Sequence, residues 1–187
     1  RGARFRARMS RPATPKAPPM LRDPGPLSRT DRALAAALFV ATVGLVWATH
    51  RPVGHVRDEG FYFHAARDYE GWFRQVGDDF SRGRFLAPFT DASISRFWEY
   101  NHEHPPLAKT AFALSHLLFH EKLGWLDDTT AFRLPAFLFA GLVSIVLFLL
   151  ARRYGRGVAL LAPMLFWAVP RHFFHAHLAC FDIPVVA

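Results

Sequence analysis

The stretch that decides the fold is residues 134–151, which read LPAFLFAGLVSIVLFLLA and contain no charged side chain. At about 1.5 Å of rise per residue, a helix of this length crosses most of the roughly 30 Å hydrocarbon core of a bilayer. A basic turn, RRYGR at residues 152–156, follows it directly. Because Lys and Arg beside a span are retained in the cytoplasm, the pattern predicts a membrane-spanning helix whose C-terminal end faces the cytoplasm.

Two further apolar runs flank this stretch. Residues 33–49 carry no charged side chain, and residues 158–174 are apolar apart from two prolines, Arg171 and His172. Residues 1–32 are rich in Arg, Pro and Ala without a hydrophobic period, which predicts a disordered basic cytoplasmic tail. We therefore expect an all-α integral membrane protein, in which residues 33–187 form a multi-spanning helical bundle with spans near 33–49, 134–151 and 158–174.

The composition favours a bilayer over a soluble core, because hydrophobic residues make up 51% and aromatic residues 15% of the chain and gather in blocks. Much of the formal net charge of +8 comes from residues 1–32, so it does not indicate nucleic-acid binding. Cys180 is the only cysteine, which leaves no internal disulfide and no Cys-based zinc site. The chain starts at Arg1 and ends in an apolar run, so we expect it to be the N-terminal part of a longer protein.

Residues 51–133 are more polar than the spans and are expected to form an outer loop with interfacial helices. Over residues 62–76, apolar and aromatic residues recur at helical spacing while charged residues, including Glu70, fill the other face. This pattern predicts an amphipathic helix. Residues 105–119 are apolar but short for a span and contain Lys109, so a re-entrant or interfacial helix is expected there.

The charge pattern also predicts which polar groups share one side of the membrane. With the basic tail and the basic turn at residues 152–156 both in the cytoplasm, the segment 105–119 does not cross. Asp58, Glu103 and Asp182 then all lie at the outer face.

Two short acidic motifs and one arginine allow both a structural and a chemical role. The pair Asp58-Glu59 heads the predicted amphipathic helix, where acids ordinarily cap the helix and complement its dipole, but Asp58 can also act as a general base. Asp182 can be the N-cap of a following helix that has Pro184 in its first turn. Arg133 precedes the clearest span and can be an interface anchor or a phosphate contact.

The loop before the short apolar segment concentrates ligating groups. It reads NHEHPPLAK at residues 101–109, with two prolines suited to the entry of a helix. His102, Glu103 and His104 in one loop can hold a divalent metal ion. Lys109, one turn inside the helix, is costly near lipid unless its ammonium reaches the surface or meets an anion such as a lipid phosphate.

Taken together and in this order, the motifs resemble those of the GT-C membrane glycosyltransferases. The likeness is greatest to the protein O-mannosyltransferase and aminoarabinose transferase branch, glycosyltransferase family 39. It rests on DE at residues 58–59, EHPPLAK at 103–109, the span led by Arg133, and DIP at 182–184. It extends from about residue 33 to the end of the chain.

The resemblance implies an inverting transfer of a sugar from a polyprenyl-phosphate donor to an acceptor protein, lipid or glycan. It implies that Asp58 is the catalytic base or orients the acceptor, and that Glu103 and Asp182 belong to the same site. These residue types suit the reaction, because nearby carboxylates stabilise an oxocarbenium-like transition state. No nucleotide-binding loop is needed when the donor is a lipid.

The leaving lipid phosphate requires positive charge. The resemblance assigns this role to Lys109, and His104, Arg133 or a divalent ion held by Glu103 and His102 can add to it. No other cofactor is expected. We expect an integral protein of a bacterial plasma membrane with its site on the periplasmic side, whose partners are the lipid-linked donor, the acceptor and membrane lipids, and not nucleic acid.

Two other functions remain open from the sequence. A transporter or channel also places charges within membrane helices, although it predicts them in mid-span and not at one interface. A non-catalytic membrane scaffold would use the acids only to cap helices.

Overall fold

The computed structural model describes residues 25–187, and the regular structure of these residues is helical throughout, as the sequence predicts. Residues 1–24 of the predicted tail lie outside the described residues. Short 3₁₀ turns occur at Ala87–Phe89 and Arg152–Tyr154, and a π-helical turn at His116–Lys122. The α-helices are α1 (Arg29–Thr49), α2 (Arg57–Ser81), α3 (Asp91–Trp98), α4 (Pro106–Ser115), α5 (Asp128–Ala151), α6 (Arg156–Ala168), α7 (Pro170–His175) and α8 (Asp182–Val186).

Helix α1 begins four residues earlier than the apolar run that predicts it. The Ser28 hydroxyl accepts a hydrogen bond from the Asp31 amide, and the Asp31 carboxylate accepts one from the Ser28 amide, both at 3.1 Å. This reciprocal capping box satisfies two backbone donors and starts the helix within the predicted tail. The prediction of a tail up to residue 32 is therefore wrong for its last residues.

Helices α1 and α5 pack against each other in antiparallel directions. At one end, Asp31 accepts hydrogen bonds from Arg152 and Arg156, each at 3.0 Å. At the other end, the His50 ring lies 3.1 Å from the Thr130 hydroxyl. We call these the basic end and the acidic end; the start of α2 and its acids lie at the acidic end.

Among the described residues, two helical stretches are long and apolar enough to cross a membrane, Arg29–Thr49 and Asp128–Tyr154. Both coincide with predicted spans. Much of the surface of α1 remains apolar and exposed, as at Val40 and Leu45. An uncovered apolar helix face of this kind is suited to contact with lipid or another helix.

The third predicted span, residues 158–174, is not a single helix. Helix α6 ends at Ala168, Val169 is extended with φ −75° and ψ 116°, and Pro170 begins α7. The proline ring disfavours helical geometry in the preceding residue, which explains the break. With 13 residues, α6 is about 20 Å long, too short to cross a bilayer core unaided.

Helix α2 is amphipathic, as predicted, but its apolar face is covered by protein. Tyr62, Phe63, Ala66 and Tyr69 belong to one buried cluster with residues of α4 and α5. Glu70, predicted on the polar face, is buried instead. The reason is that the π-helical turn after α4 also packs against α2 and places the buried His116 ring 2.8 Å from Glu70.

The predicted short segment at residues 105–119 forms α4 and the beginning of the π-helical turn. Ten residues give α4 a length of about 15 Å, half of a bilayer core. The Ser115 hydroxyl donates to the Ala131 carbonyl, so α4 packs near the acidic end of α5. This position agrees with a segment that stays at one side of the molecule.

Candidate functional site

Three separate segments meet at the acidic end around one cavity of about 490 Å³. They are the start of α2, the loop before α4 and the turn that leads into α8. The cavity thus brings together all three carboxylates predicted for the site, together with His104. Its lining consists of Asp58, Phe61, Tyr62, Tyr100, Asn101, Glu103, His104, Cys180, Phe181 and Asp182. We refer to it as the carboxylate cavity.

The two adjacent acids at the start of α2 have different surroundings. Glu59 is fully buried and accepts hydrogen bonds from Arg133 at 2.7 and 2.8 Å and from the Ala179 amide at 2.9 Å. Its carboxylate also accepts the Val56 amide at 3.3 Å, which caps α2. Asp58 is exposed in the cavity and makes no hydrogen bond or ion pair with another described residue. Glu59 therefore performs the structural task expected of the pair, and Asp58 is available for chemistry.

Arg133 does not fit the predicted role as a phosphate contact. Its side chain is 2% exposed, and its guanidinium donates to Glu59 and to the carbonyls of Val53 and Gly54, at 2.8 and 2.9 Å. Arg133 is not part of the cavity lining. A buried guanidinium needs these partners to offset its desolvation, so it holds the segment between α1 and α2 in place.

Lys109 is likewise placed away from the cavity surface. Its side chain is fully buried, and the ammonium donates to the Asn101 carbonyl and lies 5.6 Å from the centre of the Tyr69 ring. Burial lowers the pKa of Lys109. Asn101 lines the cavity and has a positive φ of 57°, which is uncommon for a residue other than glycine. Lys109 thus stabilises an unusual backbone turn of the cavity wall, and the predicted contact with a donor phosphate does not follow from its position.

Asp182 lies in the first turn of α8, whereas Phe181 occupies the N-cap position that the sequence assigns to Asp182. The Cys180 thiol donates to its carboxylate at 2.9 Å, and the His175 ring nitrogen lies 3.4 Å away. Burial alone would raise the pKa of Asp182, but the bond from Cys180 and the charge of His175 together lower it. Asp182 is therefore ionised at neutral pH.

Aromatic rings form a second part of the cavity wall. The His104 ring stacks on Phe181 with centroids 4.8 Å apart, and the Tyr62 ring lies within 5.9 Å of both. Flat aromatic faces beside carboxylates can contact the apolar faces of a sugar ring while the acids accept its hydroxyl hydrogens. Among the described residues that line the cavity, none is Lys or Arg.

The predicted metal pair, Glu103 and His102, does not assemble a ligand set. The His102 ring is mostly exposed and bonds to the Glu99 carbonyl at 2.9 Å. Three other groups of the described residues bring ligand atoms within 4.8 Å of one another, and none contains Glu103 or His102. One of these, His175 with Cys180 and Asp182, borders the cavity. Burial raises the pKa of the Cys180 thiol, which opposes the thiolate form that zinc requires.

Sequence reasoning missed most of the aromatic and amide lining, including Phe61, Tyr100, Asn101 and Phe181. A signal existed for Tyr62, because it follows Asp58 by four residues and so lies on the same face of α2. No comparable signal marks Phe181, whose position depends on the turn before α8. Comparisons with known protein families, with curated proteins and with solved structures find no match for this chain.

Proposed function

We propose that this chain carries the donor site of an inverting membrane glycosyltransferase that takes a sugar from a polyprenyl-phosphate carrier. The observation that carries the proposal is the meeting of Asp58, Glu103 and Asp182, from three distant segments, in one cavity with aromatic walls. A cavity of about 490 Å³ is within the size range of small-molecule sites, which is roughly 300–1,000 Å³.

In the proposed reaction, Asp58 takes the proton from the acceptor group as that group attacks the anomeric carbon. Its exposure and its freedom from hydrogen bonds with other described residues suit a general base. Glu103 and Asp182 stabilise the positive charge that develops on the sugar ring in the oxocarbenium-like transition state. The leaving group is the lipid phosphate.

The lipid carrier would approach along the apolar helices. Exposed apolar side chains on α1 and the two long apolar helices favour a membrane location, with the cavity at the end opposite the cluster around Arg152 and Arg156. The basic end would then face the cytoplasm. Among the described residues that line the cavity, His104 is the one whose side chain can carry positive charge beside the departing phosphate. The sequence predicts that Lys109 and Arg133 contact the phosphate, but both side chains are buried and hold the cavity wall.

A transporter would need polar groups along the helices. Between the two ends, α1 and α5 share a contact between the Thr42 and Ser144 hydroxyls at 2.7 Å, and Trp167 donates to Ser144 at 2.8 Å. These groups satisfy one another, so they join the helices instead of forming a path. The charged groups cluster at the ends, which favours a site at the membrane surface.

Photolabelling tests the donor site. The native protein in its own membranes is exposed to a polyprenyl phosphate that carries a benzophenone, and the labelled peptides are mapped. We expect labelling of peptides that contain Phe61, Tyr100 or Phe181, and competition by polyprenyl-phosphate mannose or glucose but not by the free sugar phosphate. Absence of labelling, or labelling confined to the basic end, would contradict the proposal.

The catalytic role of Asp58 is tested with Asp58→Asn, which keeps the size of the side chain and removes the base. We expect this variant to retain photolabelling but to lose sugar transfer by at least about 100-fold, within the contribution of a general base. Asp78→Asn is the matched control, because Asp78 is an exposed acid on the same helix outside the cavity. Equal transfer by the two variants would rule out the assigned role.

A further inference from the structure

A second cluster of titratable side chains lies where α2, the π-helical turn and α5 meet, away from the carboxylate cavity. Its centre is His116, which is 3% exposed and packs flat against Phe132 with ring centroids 4.0 Å apart. Around it are Glu70, Glu121 and Asp128, and the two arginines Arg67 and Arg74. We refer to this group as the His116 cluster.

The two nitrogens of the His116 ring face different carboxylates. Nε2 lies 3.0 Å from an Asp128 oxygen, with which it makes a hydrogen bond, and Arg67 holds the same carboxylate at 2.8 Å. Asp128 is acceptor-only when ionised, so Nε2 carries the proton and Nδ1 presents a lone pair. A carboxylate that accepts a hydrogen bond from one ring nitrogen is the usual arrangement behind a histidine that ligates metal through the other.

The lone pair of Nδ1 points towards a second carboxylate. Nδ1 lies 2.8 Å from Glu70 Oε1, yet neither atom makes a hydrogen bond, although both are fully buried. Two electron-rich atoms at this distance repel each other unless a proton or a metal cation lies between or beside them.

Glu121 completes a set of three ligands. Oxygens of Glu70 and Glu121 and a nitrogen of His116 lie within 4.8 Å of one another. Zinc binds imidazole nitrogen and carboxylate oxygen at about 2.0–2.2 Å, which in a tetrahedral site puts neighbouring ligand atoms roughly 3.4 Å apart. The 2.8 Å between His116 Nδ1 and Glu70 Oε1 is shorter than this, so the Glu70 carboxylate has to move slightly away from the ring, and Glu121, which is half-exposed, can rotate to complete the site.

We propose that Glu70, His116 and Glu121 bind a divalent transition-metal ion of the zinc type, with Asp128 and Arg67 fixing the His116 ring from behind. Two carboxylates and a neutral imidazole balance the charge of the ion. The π-helical turn brings His116 and Glu121 to the site from one short segment, and π-helical turns occur frequently at functional sites. The ion would join α2 to the segment that connects α4 and α5.

Arg74 is the competitor for this site within the protein. One of its nitrogens lies 3.6 Å from Glu70 and 3.4 Å from Glu121, beyond the length of a hydrogen bond, and the side chain is half-exposed. It can move into solvent when an ion enters. Arg74→Gln removes this competitor and is therefore expected to tighten metal binding. If Arg74 only formed structural ion pairs with Glu70 and Glu121, the same change would weaken the cluster and would not improve metal binding.

The test titrates the purified chain, in a mild detergent, with Zn²⁺ by calorimetry and with Co²⁺ by visible absorption. We expect one equivalent to bind, a Co²⁺ spectrum of tetrahedral type, and a higher melting temperature with Zn²⁺. Glu121→Gln removes a partly exposed ligand without opening the core, and it should weaken Zn²⁺ binding at least about tenfold. Glu99→Gln is the control, because Glu99 is 72% exposed and lies outside the cluster.

Two further outcomes decide the ligand set. His120 stacks on His116 and belongs to a different group of candidate ligands, with His116 and Asp128, so His120→Gln should leave Zn²⁺ affinity unchanged when Glu70, His116 and Glu121 are the ligands. Loss of binding in His120→Gln with full binding in Glu121→Gln would overturn the assignment. Absence of Zn²⁺ binding by the wild type, or equal affinity in Glu121→Gln, His120→Gln and the wild type, would overturn the site itself.

Discussion

Two adjacent acids at the start of α2 point in different directions: Asp58 opens into the carboxylate cavity, and Glu59 is buried against Arg133. Consecutive residues are about 100° apart around a helix, so one of the pair faces the core when the other faces the cavity. The Glu59–Arg133 pair fixes the segment before α2 and the turn after α7, through Val53, Gly54 and Ala179. The buried pair therefore positions the exposed acid.

Breaking the buried pair should destabilise the whole acidic end. Arg133→Ala leaves the Glu59 carboxylate buried without its counterion, and we expect a loss of about 3–5 kcal/mol in the free energy of unfolding. The measurement is denaturant unfolding of the purified protein in detergent, followed by tryptophan fluorescence.

A double-mutant cycle controls this prediction. The double variant Glu59→Gln/Arg133→Met removes the two charges together. Its loss of stability should be smaller than the sum of the losses in Glu59→Gln alone and Arg133→Met alone. Additive losses in the cycle, or a loss below about 1 kcal/mol in Arg133→Ala, would show that the pair is not coupled.

At the scale of elements, the pairing of α1 with α5 depends on one close approach. A Cβ added at Gly141 would lie 2.6 Å from the Phe39 ring and 2.8 Å from Val43. The absence of a side chain lets the two helices come together, as small residues commonly do in packed membrane helices. The hydroxyl contact between Thr42 and Ser144 lies at the same interface.

Gly141→Leu should separate the two helices. Forcing a branched side chain into this contact costs about 1–3 kcal/mol by overpacking, so we expect a corresponding loss of stability and a lower melting temperature. Gly44→Leu is the matched control, because a Cβ at Gly44 would meet nothing within 4 Å. Similar melting temperatures for the two variants would contradict the close approach.

The break between α6 and α7 is also an element-scale feature. Pro170 ends the helical geometry at Val169, and the short helix α7 then leads into the turn that carries Cys180 and Phe181. A continuous helix over residues 158–174 would carry this turn further along its axis. The proline thus contributes to the position of Asp182 beside Asp58.

At the scale of the whole molecule, the charges divide between two ends. Asp31, Arg152 and Arg156 form one network at the basic end, and the carboxylate cavity lies at the other. If the protein spans a membrane, the positive-inside rule places the basic end in the cytoplasm and the cavity outside.

This orientation predicts the result of cysteine labelling in intact cells. In a Cys180→Ala background, Glu99→Cys should react with a membrane-impermeant maleimide, and Tyr154→Cys should react only after permeabilisation. Both side chains are well exposed, at 72% and 47%. Tyr154 is preferred to the neighbouring Gly155 as a labelling site, because the φ of 106° at Gly155 strains any residue other than glycine. Labelling of Tyr154→Cys alone would reverse the orientation and separate the cavity from a donor on the outer side.

Much of the helical layout follows from local pattern. The apolar runs at residues 33–49 and 134–151 lie inside α1 and α5, and the amphipathic period over residues 62–76 lies inside α2. Helix starts were less well predicted, because the polar first turns of α1 and α5 are capped by Ser28 and Asp127 and lie outside the apolar run. Hydrophobic periodicity reports a buried or lipid-facing surface and contains no information about capped polar turns.

The sequence by itself determined that the described chain is helical, where its long apolar helices lie, and that acids and histidines concentrate in three short motifs. Only the tertiary structure decided which member of each motif faces the cavity. Asp58, Glu103, His104 and Asp182 line it, whereas Lys109 and Arg133 are buried behind it. The reason is physical: helix formation and apolar burial depend on local composition and period, but the position and burial of a charged side chain depend on the partner with which it pairs. Those partners are distant in the chain, as when Arg133 meets Glu59, and no local pattern specifies them.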